Sequence, residues 1–108
     1  MWKVDRGSQI GITTDNYTDA LSWNVSEMGK KTILLKNIDT INNLRYRMDG
    51  YVSFGGIVNE LVPVNQLAPN EIAEFHYEHQ WGKLVLQVKT AVIGNPANYR
   101  VDYEGQGA

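Results

Sequence analysis

The sequence predicts an all-β protein: an antiparallel β-sandwich of about seven strands, immunoglobulin-like or jelly-roll, with an extended N-terminal arm. In the clearest strand, residues 82–90, Leu84, Leu86 and Val88 share one face, while Lys83 and Lys89 lie on the other. Turn-forming residues recur roughly every 8–12 residues, which is the spacing expected of a sandwich or barrel. No segment keeps apolar residues at helical spacing over three turns, so the pattern favours strands throughout.

The other strands follow from the same alternation. Besides 82–90, the predicted strands are 18–25, 32–37, 44–52, 58–62, 73–78 and 99–103. Gly29 and Gly94 are expected to allow tight turns at 27–30 and 94–96, and Gly50 indicates a bulge or bend.

Pro63 cannot donate to a ladder, so the strand before it is an edge strand or ends there. The following segment, 64–70, is predicted to be a loop with Leu67 turned inward. One of the two isoleucines in the turn-rich stretch 37–43, Ile38 or Ile41, is expected to close one end of the core.

The first 16 residues keep no period of 2 or 3.6, which divides the chain into an arm (1–16), a sandwich (17–104) and a flexible tail (105–108). A short strand at 9–13 is an option. The apolar side chains of the arm need a surface to cover them, on their own domain or on a neighbour; they are Trp2, Val4, Ile10 and Ile12. On the neighbour hypothesis, deleting residues 1–12 should leave the sandwich folded.

Composition excludes several classes of function. The chain has no cysteine, which rules out disulfides, zinc–thiolate sites and a thiol nucleophile. Its 10 basic and 12 acidic residues are spread out, with no cluster longer than Lys30–Lys31, so nucleic acid is not an expected partner. Folding could still gather Lys83, Lys89 and Arg100 on one surface. No apolar run is long enough to span a membrane, and no signal peptide is evident, which predicts that the chain is made and kept in the cytosol.

No motif carries catalytic chemistry, so we expect neither an enzyme nor a bound cofactor. His76 and His79 fall on opposite faces of a strand, and Glu74 and Glu78 share the wet face with His76, which favours solvation over metal binding. The stretch Gly29–Thr32 lacks the first glycine and the helix of a phosphate-binding loop. No serine lies in a nucleophile elbow. The predicted catalytic and metal-binding sets are therefore empty.

Trp81 is the aromatic residue with two open interpretations. Trp23, Tyr46, Phe75, Tyr99 and Tyr103 have the phase of core residues, whereas Trp81 falls in a turn. It either caps the core or stands exposed as an anchor for a protein or a sugar.

The segments 31–37, 44–51, 67–71, 86–91 and 94–103 resemble small β-sandwich virion proteins of tailed bacteriophages. The resemblance covers about residues 20–104 and rests on strand and turn patterns, because these proteins share no catalytic motif. It implies a capsid decoration or cement protein, located in the virion. Its expected partners are the major capsid protein, other virion proteins and further copies of itself, without nucleic acid or membrane. The alternative is a carbohydrate-binding or host-recognition module, with Trp81 and the region 51–54 as a sugar platform.

Overall fold

A computed structural model describes residues 4–52, 58–78 and 81–107, and the first of these ranges opens directly on a strand. The described residues form strands joined by turns and loops, which confirms the all-β prediction. The eight strands are β1 (Val4–Ile12), β2 (Thr18–Asn24), β3 (Met28–Asn37), β4 (Leu44–Tyr51), β5 (Val58–Leu67), β6 (Ile72–Tyr77), β7 (Lys83–Thr90) and β8 (Asn98–Gly107). No helix that could span a membrane occurs among these residues.

The strands form two four-stranded antiparallel sheets. Sheet A has the order β1-β8-β3-β6 and sheet B the order β2-β7-β4-β5. Most strands that are consecutive in sequence therefore lie in opposite sheets, and eight strands arranged in this way make a jelly roll. Of the two architectures that the sequence left open, the jelly roll is the one observed.

The core lies between the inner faces of the two sheets. Leu84, Leu86 and Val88 of β7 are fully buried, as predicted, and meet residues such as Ile33 and Val101 of sheet A. Burying each of these side chains contributes about 1.5–3 kcal/mol. Val85 is buried as well, although it lies on the opposite face of β7.

Residues 4–12, predicted as part of an arm, form the edge strand β1 of sheet A. All nine residues pair with β8, from Val4 opposite Gln106 to Ile12 opposite Asn98. Residues 105–107, predicted as a flexible tail, are the last residues of β8 and pair with β1 and β3. Both ends of the described chain thus belong to the sandwich, because the backbone groups of each end form hydrogen bonds with those of the other.

β5 is an edge strand, as Pro63 predicted, but it continues to Leu67 where the sequence suggested a loop. Two register shifts against β4, on either side of Met48, give β5 extra residues around Pro63. Such bulges let a strand pass a residue that cannot donate a hydrogen bond. Leu67 is buried, as predicted.

The turn before β3 differs from the prediction. Gly29 already belongs to β3. The turn lies at residues 25–28, where the amide of Met28 donates to the carbonyl oxygen of Val25. The side chain of Lys31 is buried, and its ammonium group donates to the carbonyl oxygens of Met28 and Gly29 at 3.1 and 2.7 Å. Burial lowers the pKa of this ammonium group.

The turn at Gly94 is as predicted. Gly94 has a φ of 87°, a left-handed conformation that residues with a Cβ rarely adopt. Of the two isoleucines expected to close this end of the core, Ile38 is half-buried and Ile41 is exposed.

Candidate interaction surfaces

The outer side of β1 carries three exposed aliphatic residues. Val4, Ile10 and Ile12 are 52, 71 and 55% exposed and lie on the same face, since they are separated by even numbers of residues. Trp2, the fourth predicted partner-binding residue of this segment, lies outside the described residues. We call Val4, Ile10 and Ile12 the β1 row.

The inner side of β1 is held by side chains of its neighbours. Gly7 lies opposite Tyr103 and Gly11 opposite Tyr99, and a Cβ at either glycine would lie 2.5 Å from the tyrosine hydroxyl oxygen. The two tyrosines therefore fill the space that side chains of β1 would otherwise occupy. At the start of the strand, the indole Nε1 of Trp23 donates to Asp5 at 2.9 Å. β1 contributes little apolar surface to the core and leaves its aliphatic side chains outside.

A second exposed aliphatic group lies at one end of the sandwich, which we call the loop end. It consists of the four connections 13–17, 38–43, 68–71 and 91–97. Ile41, Val92 and Ile93 are 80, 62 and 80% exposed there. Ile41 and Val92 border the same depression of about 200 Å³, together with asparagine side chains. The sequence did not single out Val92 or Ile93.

Two carboxylates fix the conformation of these loops. The side chain of Asp39 accepts hydrogen bonds from the amides of Ile41 and Asn42 and from Asn98. Asp15 accepts from the amide of Gly94 and the hydroxyl of Thr90.

These hydrogen bonds hold both aspartates in their ionised form. Those from the amides of Asn42 and Ile41 are the main reason that the pKa of Asp39 lies below its usual value. The amide of Gly94 and the hydroxyl of Thr90 lower the pKa of Asp15 in the same way.

Trp81 packs against the core rather than standing free. It is half-buried, and together with Leu61 it lies over Gly50, where a Cβ would come within about 3.0 Å of the indole ring. Of the two interpretations open for Trp81, core capping describes this geometry. In the remainder of the sugar platform suggested by the sequence, Tyr51 has the ammonium group of Lys83 4.6 Å from its ring centroid, and Phe54 lies outside the described residues.

The polar face around His76 is solvated, as predicted. His76 and Glu74 are both more than 60% exposed with 3.6 Å between them, and His76 Nδ1 lies 3.1 Å from the hydroxyl of Thr32. His79 is not among the described residues. Within the part of the chain that is described, no group of three histidine or acidic side chains is placed to hold a metal ion.

The outer face of sheet B carries a polar ladder across three strands. Arg47 donates to Gln87, which donates to Asp19, and the guanidinium of Arg47 lies 4.3 Å from the ring centroid of Tyr17. Arg100 does not join the lysines of this face. It lies on β8 in sheet A, paired with Asp102 at 3.1 Å, so the possible gathering of Lys83, Lys89 and Arg100 does not occur.

Comparison with known proteins places the chain by its fold. No family model and no curated protein sequence matches it. Among solved structures, the SPBc2 prophage-derived protein YomS superposes with a TM-score of 0.60 at 13% identity, covering 97% of this chain and 96% of that one. VP2 of an infectious bursal disease virus subviral particle gives 0.60 at 10% identity, covering 97% of this chain and 32% of that one. PirA gives 0.66 at 13% identity, covering 89 and 92%.

These likenesses concern the fold, which is the two-sheet jelly roll that the strand order defines. Identities this low carry the fold alone. Among these neighbours are a prophage-derived protein and VP2 from a subviral particle.

Proposed function

We propose that this protein is a non-enzymatic structural component of a virion, a capsid decoration or cement protein that binds the phage shell and its own neighbours on it. The observation that carries the proposal is the β1 row: three exposed aliphatic side chains on one face of a strand that the fold itself holds from the other side. Large exposed apolar side chains grouped on one surface are typical of sites that contact another protein.

An ordered strand such as β1 can contact a neighbour at a lower entropic cost than a free arm. A free segment must be ordered on binding, at a cost of about 1–2 kcal/mol per residue in backbone entropy. β1 is already ordered by nine pairings with β8, so the row is presented without that cost. Its outward backbone edge also leaves amide and carbonyl groups for strand addition from another chain.

The outer face of sheet A offers further contacts for a neighbouring protein beside the β1 row. Beside the β1 row, the outer face of sheet A has a shallow depression of about 420 Å³, lined among others by Arg6, Ser8, Leu34 and Asp102. This combination of charged, polar and apolar side chains provides contacts for a protein surface. Many copies on a repeating shell would strengthen modest individual contacts through multivalency.

The test is a cryo-electron microscopy map of the source particle. We expect jelly-roll density at symmetry-related positions on the shell, with Val4, Ile10 and Ile12 in contact with an adjacent subunit. Absence of the chain from the particle, or a copy number unrelated to shell symmetry, would contradict the proposal. Specific binding on a glycan array by a protein that does not bind particles would favour the carbohydrate-binding alternative.

A further inference from the structure

We infer that the loop end is a second docking surface, by which the sandwich seats on a protein of the shell. The inference rests on the proposed function for the identity of the partner, but the surface itself is independent of the β1 row. Its centre is formed by Ile41, Val92 and Ile93, which lie in two connections far apart in sequence.

Aliphatic side chains at this exposure need a reason, since loops that face only water are usually polar. Two of the three border one depression, so they form a continuous surface rather than scattered positions. Around them lie polar, uncharged groups, notably the side chains of Asn42, Asn43 and Asn95. An apolar centre with a polar rim is the usual organisation of a protein–protein interface.

The depression is too small for a cofactor or a drug-sized ligand, whose sites typically occupy about 300–1,000 Å³. At about 200 Å³ it matches a single side chain of a partner protein. The partner would therefore insert one apolar residue between Ile41 and Val92 and would cover Ile93 with its own apolar surface.

The loops are also preorganised for such contact. Asp39 fixes loop 38–43 on itself and on the start of β8, and Asp15 joins loop 13–17 to Gly94 and Thr90. Asn42 Nδ2 donates to the carbonyl oxygen of Pro96, which links the two connections that carry the aliphatic residues. A surface that is already rigid loses less conformational entropy on binding.

A lipid surface fits the loop end less well than a protein does. The four connections contain no lysine or arginine that could attract anionic lipid, and no tryptophan to anchor in the headgroup region. They contain Asp15, Asp39 and Glu71, which anionic headgroups would repel. The cations Arg45 and Lys89 are cross-strand neighbours on β4 and β7, and side chains on a sheet stand roughly perpendicular to it rather than along the strand ends.

The test uses shell particles from a source virus that lacks this protein, titrated with purified full-length chain. The variant replaces Ile41, Val92 and Ile93 with serine; the matched control is Val64→Ser, which removes a 53% exposed aliphatic side chain from β5. We expect the triple variant to lose at least about tenfold in affinity, while the control binds like the natural chain. Melting curves should show that both remain folded, because these positions are exposed.

The outcomes separate the two claims. If the natural chain does not bind particles, the virion role is wrong. If the natural chain and the triple variant bind particles equally, the loop-end inference alone is wrong. It is also overturned if the natural chain binds phosphatidylcholine–phosphatidylglycerol vesicles and the triple variant does not, or if the substitutions instead dissociate a dimer of the free protein in analytical ultracentrifugation.

Discussion

Strands β7 and β1 use the same alternation in opposite ways. β7 is central in sheet B and directs Leu84, Leu86 and Val88 into the core. β1 is an edge strand that directs Gly7 and Gly11 inward and the aliphatic residues of the β1 row outward. The comparison shows that a strand can belong to a fold without supplying its core, if neighbouring side chains fill the space. The large side chains of such a strand remain exposed and can contact another molecule.

Deleting residues 1–12 should have the largest effect, and it tests whether β1 belongs to the fold. The deletion removes one of the two pairing partners of β8 and uncovers part of Tyr99 and Tyr103. Fully exposing two large side chains would cost about 3–6 kcal/mol, which sets the upper limit of this loss and is a large part of the typical stability of a small domain. We expect loss of cooperative unfolding or a melting temperature lower by more than about 10 °C.

The opposite expectation from the sequence was that this truncated chain stays folded. A melting temperature within a few degrees of the natural value, measured by circular dichroism, would support that expectation and would show that β1 is an accessory strand.

Truncating one inward and one outward residue should sharpen the contrast between β7 and β1. Leu86→Ala leaves a cavity at a fully buried position and should lower the free energy of unfolding by about 2–5 kcal/mol. Ile10→Ala removes a side chain that is 71% exposed and should change the free energy of unfolding by less than about 0.5 kcal/mol. Urea denaturation measures both. Similar losses for the two variants would mean that the β1 row is covered within the monomer.

The glycines of β1 should tolerate a methyl group unequally. At Gly11 the new Cβ would meet the hydroxyl of Tyr99, which is buried and has little room to move, so we expect Gly11→Ala to cost about 1–3 kcal/mol. Tyr103, opposite Gly7, is only half-buried and can shift, so Gly7→Ala should cost less.

Adding Tyr99→Leu to Gly11→Ala provides the control, because it removes the hydroxyl oxygen and the ring atoms Cζ and Cε1 that the new methyl group would approach. The double variant should be more stable than the sum of the single effects predicts. Strict additivity in urea denaturation would show that the cost comes from the backbone and not from the tyrosine.

The smallest expected effect is the loss of stability at acidic pH that comes from two aspartates of the loop end. Asp15 and Asp39 have pKa values that are lower in the folded protein than in the unfolded chain, because backbone amides donate to their ionised form. Their contribution to stability is therefore complete above about pH 4 and is lost as pH falls through the folded-state pKa. We expect the amide resonance of Gly94 to shift over this range in the natural chain and to stay constant in Asp15→Asn. An equal shift in the natural chain and in Asp15→Asn would show that ionisation of Asp15 does not cause it.

The alternation of apolar and polar residues was enough to predict four of the strands, β2, β4, β6 and β7, to within one residue of their observed bounds. Strands β3, β5 and β8 were predicted as well, but each extends four or five residues further at one end. The alternation could not predict β1 in full, because its inner positions are glycines and its apolar residues have the wrong phase for a core. A signal was present all the same. Gly7 and Gly11 have the same four-residue separation as Tyr99 and Tyr103, as expected when tyrosines of one strand cover glycines of its neighbour.

The loop end lay beyond what periodicity can predict. The exposure of Ile41 depends on the hydrogen bonds of Asp39 across to Asn98, and the position of Gly94 depends on Asp15, which is 79 residues away in sequence. Such contacts leave no local pattern, since turn-forming residues indicate where a loop occurs but not which side chains it exposes.

The bulges of β5 have a consequence for how copies of this protein can meet. Edge strands invite pairing between molecules, and a proline without an amide hydrogen or an interrupted register opposes it. Sheet B has such an interruption on both of its outer strands: Pro63 with the two bulges on β5, and the register shift between Asp19 and Leu21 on β2. Sheet A keeps an uninterrupted ladder along both of its edge strands, β1 and β6. Copies at high local concentration can therefore join edge to edge through sheet A, and the longer of its two edges is β1, the nine-residue strand that carries the exposed aliphatic side chains.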